Sequence, residues 1–230
     1  MFGSRLEVKR FEENIRQYEA QPVVTGKVLF YGHSLFTRCS FIFQERHPEM
    51  PLLEQEVRAK DGSQAVVNHG FGTSSADDLL YYYDRMVRPY KPRALVMAVS
   101  DNDAGFGYSP AEIVDIQARL IDWFQADFPG APVYCFTWNA YPKYKDGPNR
   151  SRLLRKEYDQ LLEGYCAQKE GVTCIRLVDQ PFYYEDPADV GDYDKIREDI
   201  FTHDRVHLTP EGYGYFMEFI RDLLEKEGLL

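Results

Sequence analysis

The amino-acid sequence predicts an α/β fold with three layers, α/β/α, in which helices cover both faces of a mostly parallel sheet. Apolar, β-prone runs alternate with longer amphipathic stretches along the 230 residues, and this alternation is typical of βαβ units. Two helix starts support the pattern, because Ser109-Pro110 and Thr209-Pro210 each pair an N-cap residue with a proline at the first helical position. Hydrophobic residues make up 44% of the chain, which is enough to bury a sizeable core.

The predicted elements follow one another in a regular order. Short apolar runs predict strands at residues 27–31, 65–68, 93–99, 132–137 and 172–177. Apolar residues at helical spacing predict helices at residues 6–18, 75–87, 110–128, 153–169 and 210–226. Because the sequence contains no internal repeat and no linker, we expect a single domain over residues 1–230, with residues 1–25 as an N-terminal helical extension.

The charge balance argues against two classes of partner. The formal net charge of −10 is the opposite of the basic footprint expected for binding to nucleic acid or to an anionic membrane. The first ten residues are polar and charged, and the sequence has no apolar stretch long enough to insert into a bilayer. We therefore expect a cytoplasmic protein that acts on a small molecule, and the sequence does not indicate its oligomeric state.

Polar residues follow three of the predicted strands directly. Ser34 follows the first strand, the turn at 70–73 follows the second, and Asn102 follows the third. In a parallel α/β sheet, ligands bind beyond the carboxyl ends of the strands. The sequence therefore predicts a functional site at this edge, and the irregular segment 139–149 after the fourth strand is expected to flank it.

Ser34 lies in Gly32-His33-Ser34-Leu35, where the first strand gives way to a short helical pattern. One interpretation is an exposed hydroxyl beside backbone N–H groups that stabilise developing negative charge. The alternative is a helix N-cap serine, which is a commoner role for this residue type.

A serine hydroxyl is a weak nucleophile at neutral pH, and it needs a histidine to take its proton and an acid to orient that histidine. Asp204-Arg205-Val206-His207 supplies both groups just ahead of the last helix. The spacing lets the carboxylate of Asp204 reach back to the imidazole of His207. Without a shared task, the two would be an ordinary turn aspartate and loop histidine.

Two further segments offer hydrogen-bond donors. The side-chain amide of Asn102 could donate to the oxyanion of a tetrahedral intermediate, although Asp101-Asn102-Asp103 also suits a plain polar turn. The turn that ends in Gly70-Phe71-Gly72-Thr73 offers backbone N–H groups for the same purpose, or merely connects a strand to a helix.

Taken in order, these four segments resemble the motifs of the SGNH, or GDSL-like, hydrolases. That family carries Gly-Asp-Ser-Leu or a relative, then a glycine turn, then Gly-x-Asn-Asp, and finally Asp-x-x-His. The counterparts in this sequence span nearly the whole chain and are Gly32-His33-Ser34-Leu35, residues 68–73, Ser100-Asp101-Asn102-Asp103 and Asp204-Arg205-Val206-His207.

The resemblance implies a flavodoxin-like sheet and hydrolysis of carboxylic esters with small or medium acyl groups, acetylated carbohydrate included, without metal or cofactor. Ser34 would be the nucleophile, His207 the general base and then acid, and Asp204 its orienting partner. The oxyanion hole would comprise the side chain of Asn102 and backbone N–H groups of Ser34 and of the glycine turn.

Three positions depart from the family pattern. His33 replaces the aspartate before the serine, and we expect it to tune the polarity around the hydroxyl. Ser100 stands where glycine is usual. Thr73 aligns with the glycine whose N–H faces the oxyanion, and because threonine resists positive φ, Gly72 is the alternative donor.

Two other functions remain open on the sequence alone. A non-catalytic relative would keep the fold and bind a ligand, which the departures at Thr73 and Ser100 would permit. A metal-assisted hydrolase would need its histidines to converge, and the candidate ligands are His33, His69, His203 and His207. Their spacing matches no short metal motif.

Overall fold

Five parallel strands form one sheet at the centre of the protein, in the order β2-β1-β3-β4-β5. The computed structural model describes residues 9–99, 101–145 and 149–230. The strands are β1 Val28–Gly32, β2 Val66–Gly70, β3 Ala94–Ala98, β4 Val133–Phe136 and β5 Val172–Ile175. All five coincide with predicted strands, and the predicted parallel α/β sheet is confirmed.

The helices alternate with the strands. They are α1 Glu12–Glu19, α2 Ser34–Thr37, α3 Phe41–Gln44, α4 Leu53–Glu56, α5 Ala76–Met86, α6 Asn102–Gly105, α7 Pro110–Asp127, α8 Asn149–Gln168 and α9 Pro210–Lys226. None of the helices in the described part of the chain combines the length and the apolar character that a membrane span needs.

Two hydrophobic clusters, one on each face of the sheet, make up the core. Alternate strand residues point to opposite faces, so Val28 and Phe30 pack in one cluster while Leu29 and Tyr31 pack in the other. The first cluster includes α2, α4 and α9, and the second includes α1, α5, α7 and α8. This arrangement is the predicted α/β/α layering.

Helix starts match the predicted capping signals. Ser109 and Glu112 form a reciprocal capping box at α7, with Pro110 at the first helical position. Thr209 accepts a hydrogen bond from the backbone N–H of Gly212 at the start of α9.

Several predicted boundaries were wrong by two residues or more. The helix predicted at 6–18 begins at Glu12, because residues 9–11 form a turn. Residues 1–8 lie outside the described residues. The helix predicted at 153–169 begins earlier, at Asn149, because the prediction started at the first apolar residue of the pattern. The last strand ends at Ile175, since the chain turns into a 3-10 helix at Leu177–Asp179.

Candidate active site

Ser34 lies at the carboxyl end of β1 as the first residue of α2. The N-cap of this helix is His33, whose Nδ1 accepts a hydrogen bond from the backbone N–H of Leu35 at 3.3 Å. The interpretation of Ser34 as the cap was therefore wrong. Its hydroxyl is left to other partners.

The hydroxyl of Ser34 faces the imidazole of His207, although the two residues come from opposite ends of the chain. The distance from Ser34 Oγ to His207 Nε2 is 3.3 Å, and His207 Nδ1 lies 2.7 Å from Asp204 Oδ2. Because the carboxylate can only accept, Nδ1 carries the proton of the neutral ring and Nε2 is left as an acceptor. The geometry therefore lets the serine hydroxyl donate towards His207.

Asp204 is held in place by several donors. Its Oδ1 accepts hydrogen bonds from Thr202 Oγ1 at 2.7 Å and from the backbone N–H groups of Val206 and His207 at 2.9 and 3.0 Å. Burial alone would raise the pKa of Asp204, but these bonds, with the one from the His207 ring, hold that pKa well below its ordinary value. The carboxylate is consequently ionised at neutral pH.

His207 is neutral at the same pH. Burial lowers the pKa of its imidazole, the hydrogen bond to Asp204 opposes that shift, and the nearby guanidinium of Arg38 adds to it. The net shift is downward. A neutral imidazole with a free Nε2 lone pair can act as a proton acceptor.

The sheet brings α2 against the end of β2. A Cβ on Gly70 would lie 2.3 Å from the backbone nitrogen of Thr37, so glycine is required for this close approach. Asn68 then fixes the contact, because its side-chain amide donates to the carbonyls of Phe36 and Cys39 while its Oδ1 accepts from the N–H of Gly70. The helix that carries Ser34 is thereby tied to the strand that precedes the glycine turn.

Thr73 adopts the backbone conformation that a glycine would favour. Its φ is +63°, in the left-handed region that β-branched residues rarely occupy. The expectation that threonine would resist positive φ is therefore overruled by the turn. Gly72 and Thr73 both line the cavity that contains Ser34.

Asn102 lines the same cavity from the start of α6. Its Nδ2 donates to the carbonyl of Ser74 at 3.3 Å, which joins the ends of β2 and β3. The neighbouring Asp103 is buried and accepts from the backbone N–H of Ala76, outside the cavity. Ser100 lies outside the described residues.

The cavity has a volume of about 310 Å³, and its wall is mostly apolar in surface although many of its lining residues carry polar groups. Its lining residues are His33, Ser34, Thr37, Arg38, Phe43, Gly72, Thr73, Asp101, Asn102, Asn139, Tyr141, Val206 and His207. Five of these lining residues were not predicted from the sequence, namely Thr37, Arg38, Phe43, Asp101 and Val206. Arg38 could have been found, because it lies one helical turn after Ser34, whereas nothing in the sequence pointed to Phe43. The predicted flanking segment contributes Asn139 and Tyr141, and the hydroxyl of Tyr141 donates to Asp101.

The histidines considered as metal ligands do not converge. His33 is buried next to Ser34, with its Nδ1 at 3.4 Å from Ser34 Oγ, and burial lowers its pKa to about 4. His69 lines a different cavity, and its Nδ1 lies 2.7 Å from the carbonyl of Met86. His203 is exposed. Across residues 9–99, 101–145 and 149–230, no group of three or more His, Cys, Asp or Glu residues is arranged to hold a metal ion.

Comparison with solved structures finds proteins of the same fold. A GDSL-like lipase from Bacteroides thetaiotaomicron is 17% identical, with a TM-score of 0.64 over 96% of this chain and 100% of the other. The lipase/acylhydrolase from Enterococcus faecalis is 17% identical, with a TM-score of 0.66 over 88% and 97%. A mutant of Axe2, an acetyl-xylooligosaccharide esterase from Geobacillus, is 17% identical, with a TM-score of 0.60 over 87% and 95%. At these identities the likeness concerns the fold alone.

Comparison with family models gives a more specific result. No curated protein matches this chain in sequence. The model of the GDSL-like lipase/acylhydrolase family matches residues 30–215, from β1 into α9. This match includes the Ser34 segment, the glycine turn, Asn102 and the Asp204–His207 loop. The chain therefore belongs to the GDSL-like lipase/acylhydrolase family of ester-cleaving hydrolases.

Proposed function

We propose that the protein hydrolyses carboxylic esters through an acyl-enzyme formed on Ser34. The observation that carries this proposal is the continuous line of contacts from Ser34 Oγ to His207 Nε2, at 3.3 Å, and from His207 Nδ1 to Asp204 Oδ2, at 2.7 Å. In this assignment Ser34 is the nucleophile, His207 the general base and then acid, and Asp204 the residue that orients His207.

The first half of the reaction forms the acyl-enzyme. Ser34 Oγ attacks the ester carbonyl carbon while His207 Nε2 takes the hydroxyl proton, and the carbonyl oxygen becomes an oxyanion. The ionised Asp204 stabilises the imidazolium that results. When the tetrahedral intermediate collapses, the alcohol leaves with the proton returned from His207.

The second half releases the acid. A water molecule donates a proton to His207 Nε2 and attacks the acyl carbon, and collapse of the second intermediate restores the Ser34 hydroxyl. No step of this cycle needs a group other than protein side chains and water.

We assign the oxyanion hole to the backbone N–H groups of Ser34 and Thr73 and to the side-chain amide of Asn102. Thr73 is preferred to Gly72 because it already has the positive φ, +63°, that the corresponding glycine of the family would supply. The Nδ2 of Asn102 carries two hydrogens, so a bond to the oxyanion does not require loss of its bond to the Ser74 carbonyl, which is 3.3 Å long.

The size of the cavity favours esters with small acyl groups. Its volume of about 310 Å³ is at the lower end of the range for ligand pockets, and its mostly apolar wall also carries polar groups of Arg38, Asp101 and Asn139. Acetylated carbohydrates fit this description, and the structurally similar Axe2 is named for acetyl-xylooligosaccharides. The location of the protein in the cytoplasm stays a prediction from the sequence.

The test compares wild type, Ser34→Ala and the control Ser63→Ala, whose serine is exposed and does not line the cavity of Ser34. p-Nitrophenyl acetate, butyrate and octanoate serve as substrates, and a fluorophosphonate probe reports the nucleophile. We expect wild type and Ser63→Ala to hydrolyse acetate fastest and to be labelled at Ser34. In Ser34→Ala, labelling should disappear and the rate should fall by roughly 10⁴-fold or more. A folded wild type that neither hydrolyses these esters nor labels would overturn the proposal and favour a ligand-binding role.

A further inference from the structure

A second cavity lies at the outer edge of the sheet, beside β2. Its volume is about 280 Å³, and its wall includes Tyr18, Phe41, Glu54, His69 and Tyr90. Among the described residues, it shares no lining residue with the cavity of Ser34. The proposed hydrolysis makes no use of it.

Aromatic rings form much of this second cavity. The ring of Tyr18 lies 5.4 Å from that of Phe41, edge to face, and 4.9 Å from the imidazole of His69. The ring of Tyr90 lies 4.3 Å from the imidazole of His69, edge to face. Hydrogen bonds hold two of these rings in place. The hydroxyl of Tyr18 donates to the carbonyl of Gly70, and His69 Nδ1 bonds to the carbonyl of Met86.

Glu54 places a carboxylate among these rings. Its Oε1 accepts from the backbone N–H of Asn68 at 2.9 Å. In the described part of the chain, no arginine, lysine or histidine forms an ion pair with it. Burial raises the pKa of Glu54 to about 7, and the opposing effects of its hydrogen bonds and of Arg58 are smaller.

Apart from Glu54, the titratable groups in and beside the cavity are neutral, and the guanidinium of Arg58 is exposed and does not line it. Burial lowers the pKa of His69 to about 4, so that its imidazole is neutral. Burial also raises the pKa values of Tyr18 and Cys39 well above their ordinary values, which keeps both groups protonated and neutral. The cavity therefore combines aromatic walls and one carboxylate without an internal cation to balance it.

We propose that this cavity is a binding site for a small organic cation, an alkylammonium group held between the aromatic rings and the carboxylate of Glu54. Aromatic faces attract ammonium ions through their quadrupole, and the attraction is strongest where water is excluded. A half-buried carboxylate that forms no ion pair favours the same ligand. The site is independent of the proposed esterase reaction.

Choline is a suitable probe because 3,3-dimethylbutan-1-ol is its uncharged isostere. Calorimetric titration of the full chain at pH 8, where Glu54 is largely ionised, compares the two compounds. We expect choline to bind in the millimolar range or tighter, and the uncharged isostere to bind at least about tenfold more weakly. Equal affinities would overturn the proposal, and so would the absence of choline binding in the millimolar range.

Two variants on α4 locate the site. Glu54→Gln keeps an oxygen acceptor for Asn68 and removes the charge, so choline affinity should fall at least about tenfold. Glu56→Gln removes an exposed charge from the same helix and should leave the affinity unchanged. Wild-type affinity in a folded Glu54→Gln protein would contradict the assignment. Repeating the titration with Ser34→Ala separates this proposal from the esterase proposal, because binding should persist without the nucleophile.

Discussion

The two halves of the candidate active site are positioned in different ways. Ser34, Thr73 and Asn102 follow β1, β2 and β3, whose ends are adjacent in the sheet, with Gly32 in register with both Gly70 and Ala98. Asp204 and His207 lie in an irregular segment whose ends are joined by an isolated bridge between Phe201 and Leu208. The register of the sheet therefore positions Ser34, Thr73 and Asn102, which we call the sheet half. Local hydrogen bonds position Asp204 and His207, which we call the loop half.

Asp204 determines the conformation of the loop that carries His207, and it also supplies the negative charge beside the imidazole. Within the loop, the backbone N–H of Thr202 donates to the carbonyl of His207 at 2.7 Å, and that of Arg205 donates to Thr202 at 2.8 Å. The Oδ1 of Asp204 then closes the turn by accepting from Val206 and His207. One side chain thus holds the loop and orients the imidazole, whereas the sheet half divides these tasks among many residues.

The largest effect on activity is expected at Asp204, because this one side chain both holds the loop and orients His207. Asp204→Asn retains the size of the side chain but loses the charge that fixes the His207 tautomer, and kcat should fall by about 10⁴-fold. Asp199→Asn, in the same region but bonded to Arg197, is the matched control and should retain activity. Steady-state kinetics on p-nitrophenyl acetate measures both. A loss below tenfold in Asp204→Asn would mean that His207 is oriented by something other than this carboxylate.

A smaller effect is expected in the sheet half, at Asn102. Asn102→Ala removes one proposed oxyanion donor, which should lower kcat by about 10²–10³-fold with little change in KM. Asn102→Asp keeps the shape but replaces the donor by a carboxylate, so it should be no more active. Circular dichroism checks that the bond to the Ser74 carbonyl is not essential for folding. An Asn102→Ala enzyme with wild-type kcat would remove Asn102 from the proposed hole.

Arg38 links the two parts of the site, because it follows Ser34 in the chain and its charge lowers the pKa of His207. The pH dependence of activity tests this link. Because burial and Arg38 both lower the pKa of His207, the acid limb of kcat/KM should lie below the ordinary histidine value of about 6.5. Removing the positive charge in Arg38→Gln should stabilise the imidazolium and move the limb to higher pH. Arg46→Gln, an exposed arginine nearby in sequence, should leave it in place. A limb that stays fixed in Arg38→Gln would show that the charge of Arg38 does not contribute to the pKa of His207.

Short-range patterns in the sequence predicted much of this architecture. The five strands and the N-caps at Ser109 and Thr209 follow from local motifs, and the gathering of Ser34, Thr73 and Asn102 follows from the rule that parallel strands share one carboxyl edge. The meeting of Ser34 with the Asp204–His207 loop was expected from the chemistry of a serine nucleophile and from the family resemblance. Their catalytic roles stay predictions until they are tested.

Contacts between distant segments were not predictable in the same way. The hydroxyl of Tyr213 in α9 donates to the carbonyl of Leu35 at 2.9 Å, which links α2 to the last helix. The close approach of Gly70 to Thr37 and the bond between Tyr141 and Asp101 are of the same kind. Each depends on packing between elements, which no local pattern encodes.

The smallest predicted effects concern backbone strain, which occurs once in each half. Thr73 and Arg205 have φ values of +63° and +58°, although neither is glycine. Thr73→Gly relieves the strain but adds freedom to the unfolded chain, so the net gain should be at most about 1 kcal/mol, or roughly 2–4 °C in Tm. Its N–H is retained, and activity should stay within about threefold of wild type.

Arg205→Gly relieves similar strain but also removes the hydrogen bond from its guanidinium to Glu198, 2.9 Å long, so Tm should change less than in Thr73→Gly or should fall. Lys91→Gly is the control for strain outside the site, at φ +41°. Thermal unfolding and kinetics on the three variants separate the two halves. If Thr73→Gly lost tenfold or more in kcat while remaining folded, the threonine side chain itself would take part in the reaction. The sheet half would then depend on a side chain at the position where the family uses only backbone.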